Sequence, residues 1–160
     1  MWIDIGKLKD WEISIEKVVG GFIWLGFSKR VPHKMLCISS DKAAVFDCVN
    51  GTVEECTIDL NEEKCTAVCS ELNGEVINLS GQYGGEIPHS TAKGEKVQIE
   101  TASDYITTVT FITSKKKRSV IYKNYGFYTC GFSYDGRYFV FAQDAGLTVL
   151  KKLTKSYNGF

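Results

Sequence analysis

Apolar and polar positions alternate along most of the chain with a period of two, the pattern of strands that bury one face. Trp11, Ile13 and Ile15 alternate with Glu12, Ser14 and Glu16, which predicts a half-buried strand. Short apolar runs follow at 22–27, 35–38, 43–46 and 52–58. Asp41-Lys42 and Asn50-Gly51 separate them, and Asn-Gly is a strong hairpin signal. Residues 22–58 are therefore expected to form a four-stranded meander. Later strands are expected at 75–79, 97–101, 106–113, 119–122, 127–132, 138–142 and 147–151. Residues 61–72 are the one helix candidate, with Asn61 as its cap and Glu62 and Glu63 in its first turn. An acidic loop is the alternative for this segment.

One unit recurs. Gly26-Phe27-Ser28 returns as Gly131-Phe132-Ser133, about 105 residues later. In each copy an exposed turn follows, then an apolar strand, then Asp, then a second strand. The turn is 29–34 in the first copy and 134–137 in the second, two residues shorter. The spacing differs from the ~40–45 residues of a tandem propeller repeat.

The segment from Gly131 through Asp135-Gly136-Arg137 to Phe141-Ala142 resembles the inner hairpin of a WD-repeat or related β-propeller blade, and the unit at Gly26 resembles the same hairpin. The Gly-His and Trp-Asp signatures of WD repeats are absent. The layout is also similar to a group of small bacterial proteins that have no assigned activity. Those share a Gly-Phe-Ser unit ending in Phe-Asp-Cys (here Phe46-Asp47-Cys48), a Gly-Gly loop (here Gly81 to Gly85) and a second Gly-Phe-Ser unit. The resemblance implies blade-like units at about 22–58 and 127–152 within one β domain, 1–160. An open sheet must bury a face against another layer. The fold class expected is all-β, with two blade-like antiparallel sheets packed as a sandwich or a partial β-propeller. The Gly-Phe-Ser strands are expected to be central, with Phe27 and Phe132 in the core.

Composition narrows the class. The 160 residues hold 19 Lys+Arg and 19 Asp+Glu, and 44% are hydrophobic, which fits an ordinary globular domain. A balanced charge argues against a general nucleic-acid binder. No run reaches the ~18 apolar residues of a membrane-spanning helix, and the first residues lack a basic start and apolar core, so a cytoplasmic protein is expected. The six cysteines, at 37, 48, 56, 65, 69 and 130, are then expected to be reduced. No Cys-x-x-Cys pair occurs, and the only histidines are His33 and His89. Neither a metal site nor a cofactor is expected on that spacing.

The motifs with chemical potential read mostly as structure. His89-Ser90-Thr91 lacks a third group to orient the base. The glycines at 81, 84 and 85 precede neither a Lys-Ser/Thr pair nor a helix, so they read as a turn rather than a phosphate loop. Lys115-Lys116-Lys117-Arg118 reads as a solvated hairpin tip. Trp2, Trp11 and Trp24 are expected in the core. Charge layout is the informative feature. Residues 47–75 hold eight carboxylates and one base, Lys64, for a net charge of −7. Such asymmetry favours a basic partner. The expected function is a non-enzymatic protein-binding module, most specifically an immunity protein that neutralises a bacterial toxin domain, with Glu54, Glu55, Asp59, Glu62 and Glu63 at the contact. A propeller-like scaffold or regulatory subunit is the alternative, and an enzyme a weaker third.

Overall fold

The computed structural model describes residues 2–154; residue 1 and residues 155–160 of the expected 1–160 domain lie outside them. In chain order the strands are β1 (Trp11–Lys17), β2 (Phe22–Phe27), β3 (Lys34–Ser39), β4 (Ala43–Asp47), β5 (Val53–Cys56), β6 (Ile58–Asn61), β7 (Thr66–Cys69), β8 (Ile77–Asn78), β9 (Ser80–Gly81), β10 (Gly84–Gly85), β11 (Lys96–Thr101), β12 (Thr107–Ile112), β13 (Arg118–Asn124), β14 (Phe127–Phe132), β15 (Tyr138–Gln143) and β16 (Gly146–Lys152). The described residues contain no α-helix, only a 3-10 turn at Ser70–Leu72. The chain is all-β.

Hydrogen bonding sorts the strands into four antiparallel sheets rather than two, none of them closed into a barrel. We number them by the order in which they stack. Sheet I is β11-β12-β13, sheet II is β1-β16-β15-β14, sheet III is β10-β9-β2-β3-β4-β5, and sheet IV is β6-β7-β8. Three apolar layers join them. Trp11, Phe111, Phe132, Phe139 and Phe141 fill the space between sheets I and II. Phe27, Met35, Phe46, Val140 and Val149 lie between II and III. Trp24, Leu36, Val45, Ala67, Cys69 and Ile77 lie between III and IV. Sheets II and III are thus covered on both faces, which is why all six residues of β15 are buried and its sequence reads as a continuous apolar run.

The meander expected over 22–58 is present as β2–β5, in consecutive order within sheet III. Its last residue, Ile58, instead begins β6 in sheet IV. The helix expected over 61–72 is not formed. Asn61 ends β6 and caps no helix; its Oδ1 accepts the Lys64 N–H at 3.1 Å within a turn, and Cys65 adopts φ 50° and turns the chain back. Residues 66–69 then pair with β6 as β7, because alternate residues Ala67 and Cys69 bury themselves against sheet III.

The two Gly-Phe-Ser units sit at the same place in the β2–β3 and β14–β15 hairpins of sheets III and II. Phe27 pairs with Met35 and Phe132 with Phe139, and both phenyl rings are buried, at 1% and 0% exposure. Each serine closes its turn. Ser28 Oγ accepts the Val31 N–H at 2.9 Å and donates to Glu75 Oε1 at 2.5 Å. Ser133 Oγ accepts the Tyr138 N–H at 3.0 Å and donates to Asp135 Oδ1 at 2.7 Å. The shorter second turn supplies its own carboxylate; the longer first turn takes one from beyond β7.

β2 lies inside its sheet as expected, but β14 is an edge strand of sheet II. The reason is the segment 77–90, which occupies the edge of β14. It pairs with β2 through Ser80 and Gly81, and the Ser80 and Thr129 hydroxyls meet at 2.6 Å. Ile87 enters the core between sheets II and III. The Phe132 N–H then donates to the Pro88 carbonyl at 2.7 Å, and the Val97 N–H to the His89 carbonyl at 2.9 Å. One segment thereby ties sheets III, II and I together.

Candidate binding surfaces

Sheet IV covers sheet III with one face and leaves the other open. Register puts Asp59 opposite Val68 on the open face, while Leu60 and Ala67 point inward. The turn 62–65 carries Glu62 and Glu63 to the rim of the same face. Asp59, Glu62, Glu63, Leu60, Val68 and Val76 surround a shallow depression of about 590 Å³, and Val76 is 60% exposed. Three of the five expected contact carboxylates are thereby brought together beside exposed apolar surface.

The other two lie on β5, the free edge of sheet III. Glu54 and Glu55 are both exposed, but neighbouring strand residues point to opposite faces. Glu54 shares the side of Cys56, toward sheet IV. Glu55 faces the other way and is held by the Lys42 ammonium at 3.2 Å. Two further carboxylates of the acidic stretch, Asp47 and Glu75, serve the fold. Asp47 Oδ1 accepts the N–H groups of Val49 and Asn50, and Glu75 is buried on Ser28 and the Lys29 N–H.

A second charged surface was not assembled by sequence reasoning. Lys115 and Lys117, at the tip of the β12–β13 hairpin, line a cleft of about 740 Å³ with Lys7, Lys9, Lys93, Arg137 and Lys152. Asp10 also lines it, and Lys152 is paired with the buried Glu95 at 2.9 Å. The hairpin lysines are thus one wall of a basic cleft built from five separate parts of the chain. Arg118 lies apart, donating to Gln98 Oε1 at 2.6 Å.

The residues singled out for catalysis behave as structure. The His89 and Ser90 backbones pair with Val97 and Lys96, and Thr91 Oγ1 donates to Glu95 Oε1 at 3.0 Å. Gly81 and Gly84 pair across a two-residue hairpin, with Gly84 at φ 111° and Gly85 at φ 78°, the conformation for which glycine is needed. Trp11 and Trp24 are buried and Trp2 is half-buried.

All six cysteines are free thiols. Burial pushes the Cys37 and Cys48 thiols up to about 12, and Cys130 higher still. Cys56 is also pushed up to about 12, by burial first and then by the neighbouring Cys69, Glu71 and Glu54. The Cys56 and Cys69 sulfurs and a Glu71 carboxylate oxygen lie within 4.8 Å of one another. Linear spacing hid this group. The signal lay in strand register: Cys69 pairs with Ile58, two residues from Cys56. Comparison of the chain with protein-family models, with curated proteins and with solved structures finds no match.

Proposed function

We propose that this protein is a non-catalytic binding module whose open sheet IV face receives a basic protein partner. The observation that carries this reading is the grouping of Asp59, Glu62 and Glu63 around the exposed Val76. An apolar centre with a charged rim is the general anatomy of a protein contact, and rim carboxylates accelerate the approach of a basic partner. The narrower form is an immunity protein that acts in the cytoplasm on a bacterial toxin domain, with the acidic face standing in for the phosphates of a nuclease substrate. Glu54, on β5 beside Cys56, lies off the depression, and Glu55, on the opposite side of that edge and paired with Lys42, lies outside the face.

A second reading, a propeller-like scaffold, draws on the stacking order. Sheets I to IV contain chain regions 96–124, 127–152, 22–56 and 58–78, a cyclic permutation of sequence order apart from β1, β9 and β10. In addition, β1 completes the sheet of β14–β16, as an early strand does when it closes the last blade of a propeller.

The test is association kinetics with candidate toxin domains, using the wild type and a Glu62→Lys/Glu63→Lys variant at several salt concentrations. The variant is expected to associate more slowly, with a weaker salt dependence, while its folding stability changes by less than about 0.5 kcal/mol. Unaltered kinetics at low and moderate salt would reject the acidic face as the contact.

A further inference from the structure

We propose that Cys56, Cys69 and Glu71 form a zinc site with one open coordination position. The three residues come from three elements: Cys56 from β5, Cys69 from β7 and Glu71 from the 3-10 turn. Their donor atoms already converge to within 4.8 Å of one another. Tetrahedral zinc with Zn–S of ~2.3 Å and Zn–O of ~2.0 Å places neighbouring donors roughly 3.5–3.8 Å apart. The closure required is therefore at most about 1 Å, within the range of side-chain rotation.

Surrounding contacts suit a cation. Ser70 Oγ donates to Glu71 Oε1 at 3.1 Å, which orients the carboxylate and leaves Oε2 to bind; supporting hydrogen bonds of this kind are a regular part of metal sites. Glu54 stands on the same face of β5 as Cys56 and adds negative potential. Cys69 is buried while Cys56 and Glu71 are half-buried, so the site has a solid floor and a path to solvent. Two sulfur donors select zinc over magnesium or calcium, which prefer oxygen, and the carboxylate oxygen favours zinc over copper(I). Three protein donors leave the fourth position to water or to a ligand from outside. The inference does not depend on the partner reading above.

The experiment uses the full chain, reduced, with Zn²⁺ as the ion and Co²⁺ as its spectroscopic probe. The wild type should bind one Zn²⁺ in competition with a chromogenic chelator, and Co²⁺ should give thiolate-to-metal charge-transfer absorption. Cys56→Ser and Cys69→Ser should each abolish that absorption, Glu71→Gln should weaken zinc binding by at least the roughly 10–100-fold that loss of a mere supporting partner costs, and Cys65→Ser should change nothing. A readout without substitutions guards against variants that fail to fold: zinc should protect the half-buried Cys56, and not Cys65, from alkylation mapped by peptide mass spectrometry. The proposal is overturned if Cys56 alkylates equally with and without zinc. It is overturned as well if Cys56 and Cys69 join as a disulfide on exposure to peroxide while zinc leaves that reaction unslowed.

Discussion

A β-carbon on Gly26 would stand 2.2 Å from the Asn78 carbonyl oxygen, and one on Gly131 would stand 2.6 Å from both Ile87 Cγ1 and the Pro88 carbonyl oxygen. The repeated glycine is there because the segment 77–90 crosses both units at backbone contact. Gly26→Ala and Gly131→Ala should each destabilise by about 1–3 kcal/mol or more, the range for overpacked interiors, whereas Gly20→Ala, with nothing within 4 Å, should be nearly neutral. Urea unfolding measures all three. The repeated serine is testable in the same way. Glu75→Ala orphans the buried Ser28 hydroxyl and the Lys29 N–H, and a loss of about 1–3 kcal/mol is expected. The buried thiols set an alkaline limit. Cys37, Cys48 and Cys130 titrate above 9.0 in the folded protein, so between pH 9 and 12 the unfolded chain loses thiol protons that the native chain keeps. Their contribution is complete below pH 9 and falls above it, each thiol removing about 1.4 kcal/mol per pH unit. Denaturant midpoints that stay flat from pH 8 to 11 would contradict this.

At the scale of elements, hairpins were legible and sheet membership was not. Asn50-Gly51 and the alternation of 11–16 mark local structure, since a turn and its strands are specified by neighbouring residues. The hairpin β6–β7 was hidden because Asn61, Glu62 and Glu63 suit a helix start as well as a turn; what decides is the burial of Ala67 and Cys69 against sheet III, a distant partner. The same reason hid the Cys56–Cys69 pairing and the basic cleft. Of the acidic stretch, sequence identified five carboxylates that are exposed, but not that Glu55 faces away from the others. Phe27 and Phe132 were legible as core from their repeated setting. Phe27→Ala and Phe132→Ala should each cost about 3–5 kcal/mol. Because the two rings occupy different apolar layers, their costs should add within about 0.5 kcal/mol in the double variant, if it still folds.

Across the whole molecule, a formal charge of zero conceals two surfaces of opposite sign, one on sheet IV and one at the hairpin tip of sheet I. Those sheets are the two ends of the stack. Sheets II and III, between them, carry most of the aromatic and aliphatic bulk and expose little of it. The central strand β15 has a consequence for the life of the protein outside its native state. Tyr-Phe-Val-Phe-Ala-Gln is uncharged, free of proline and glycine, and rich in aromatic residues, the composition of segments that stack into amyloid zippers. Only the neighbours β14 and β16 and the covering layers keep it from pairing with copies of itself. Unfolding at 37 °C should therefore end in fibrils seeded by residues 138–143 rather than in soluble chains. Phe132→Ala should bind thioflavin T sooner than the wild type, and adding Val140→Lys should abolish that signal although it destabilises the native state further.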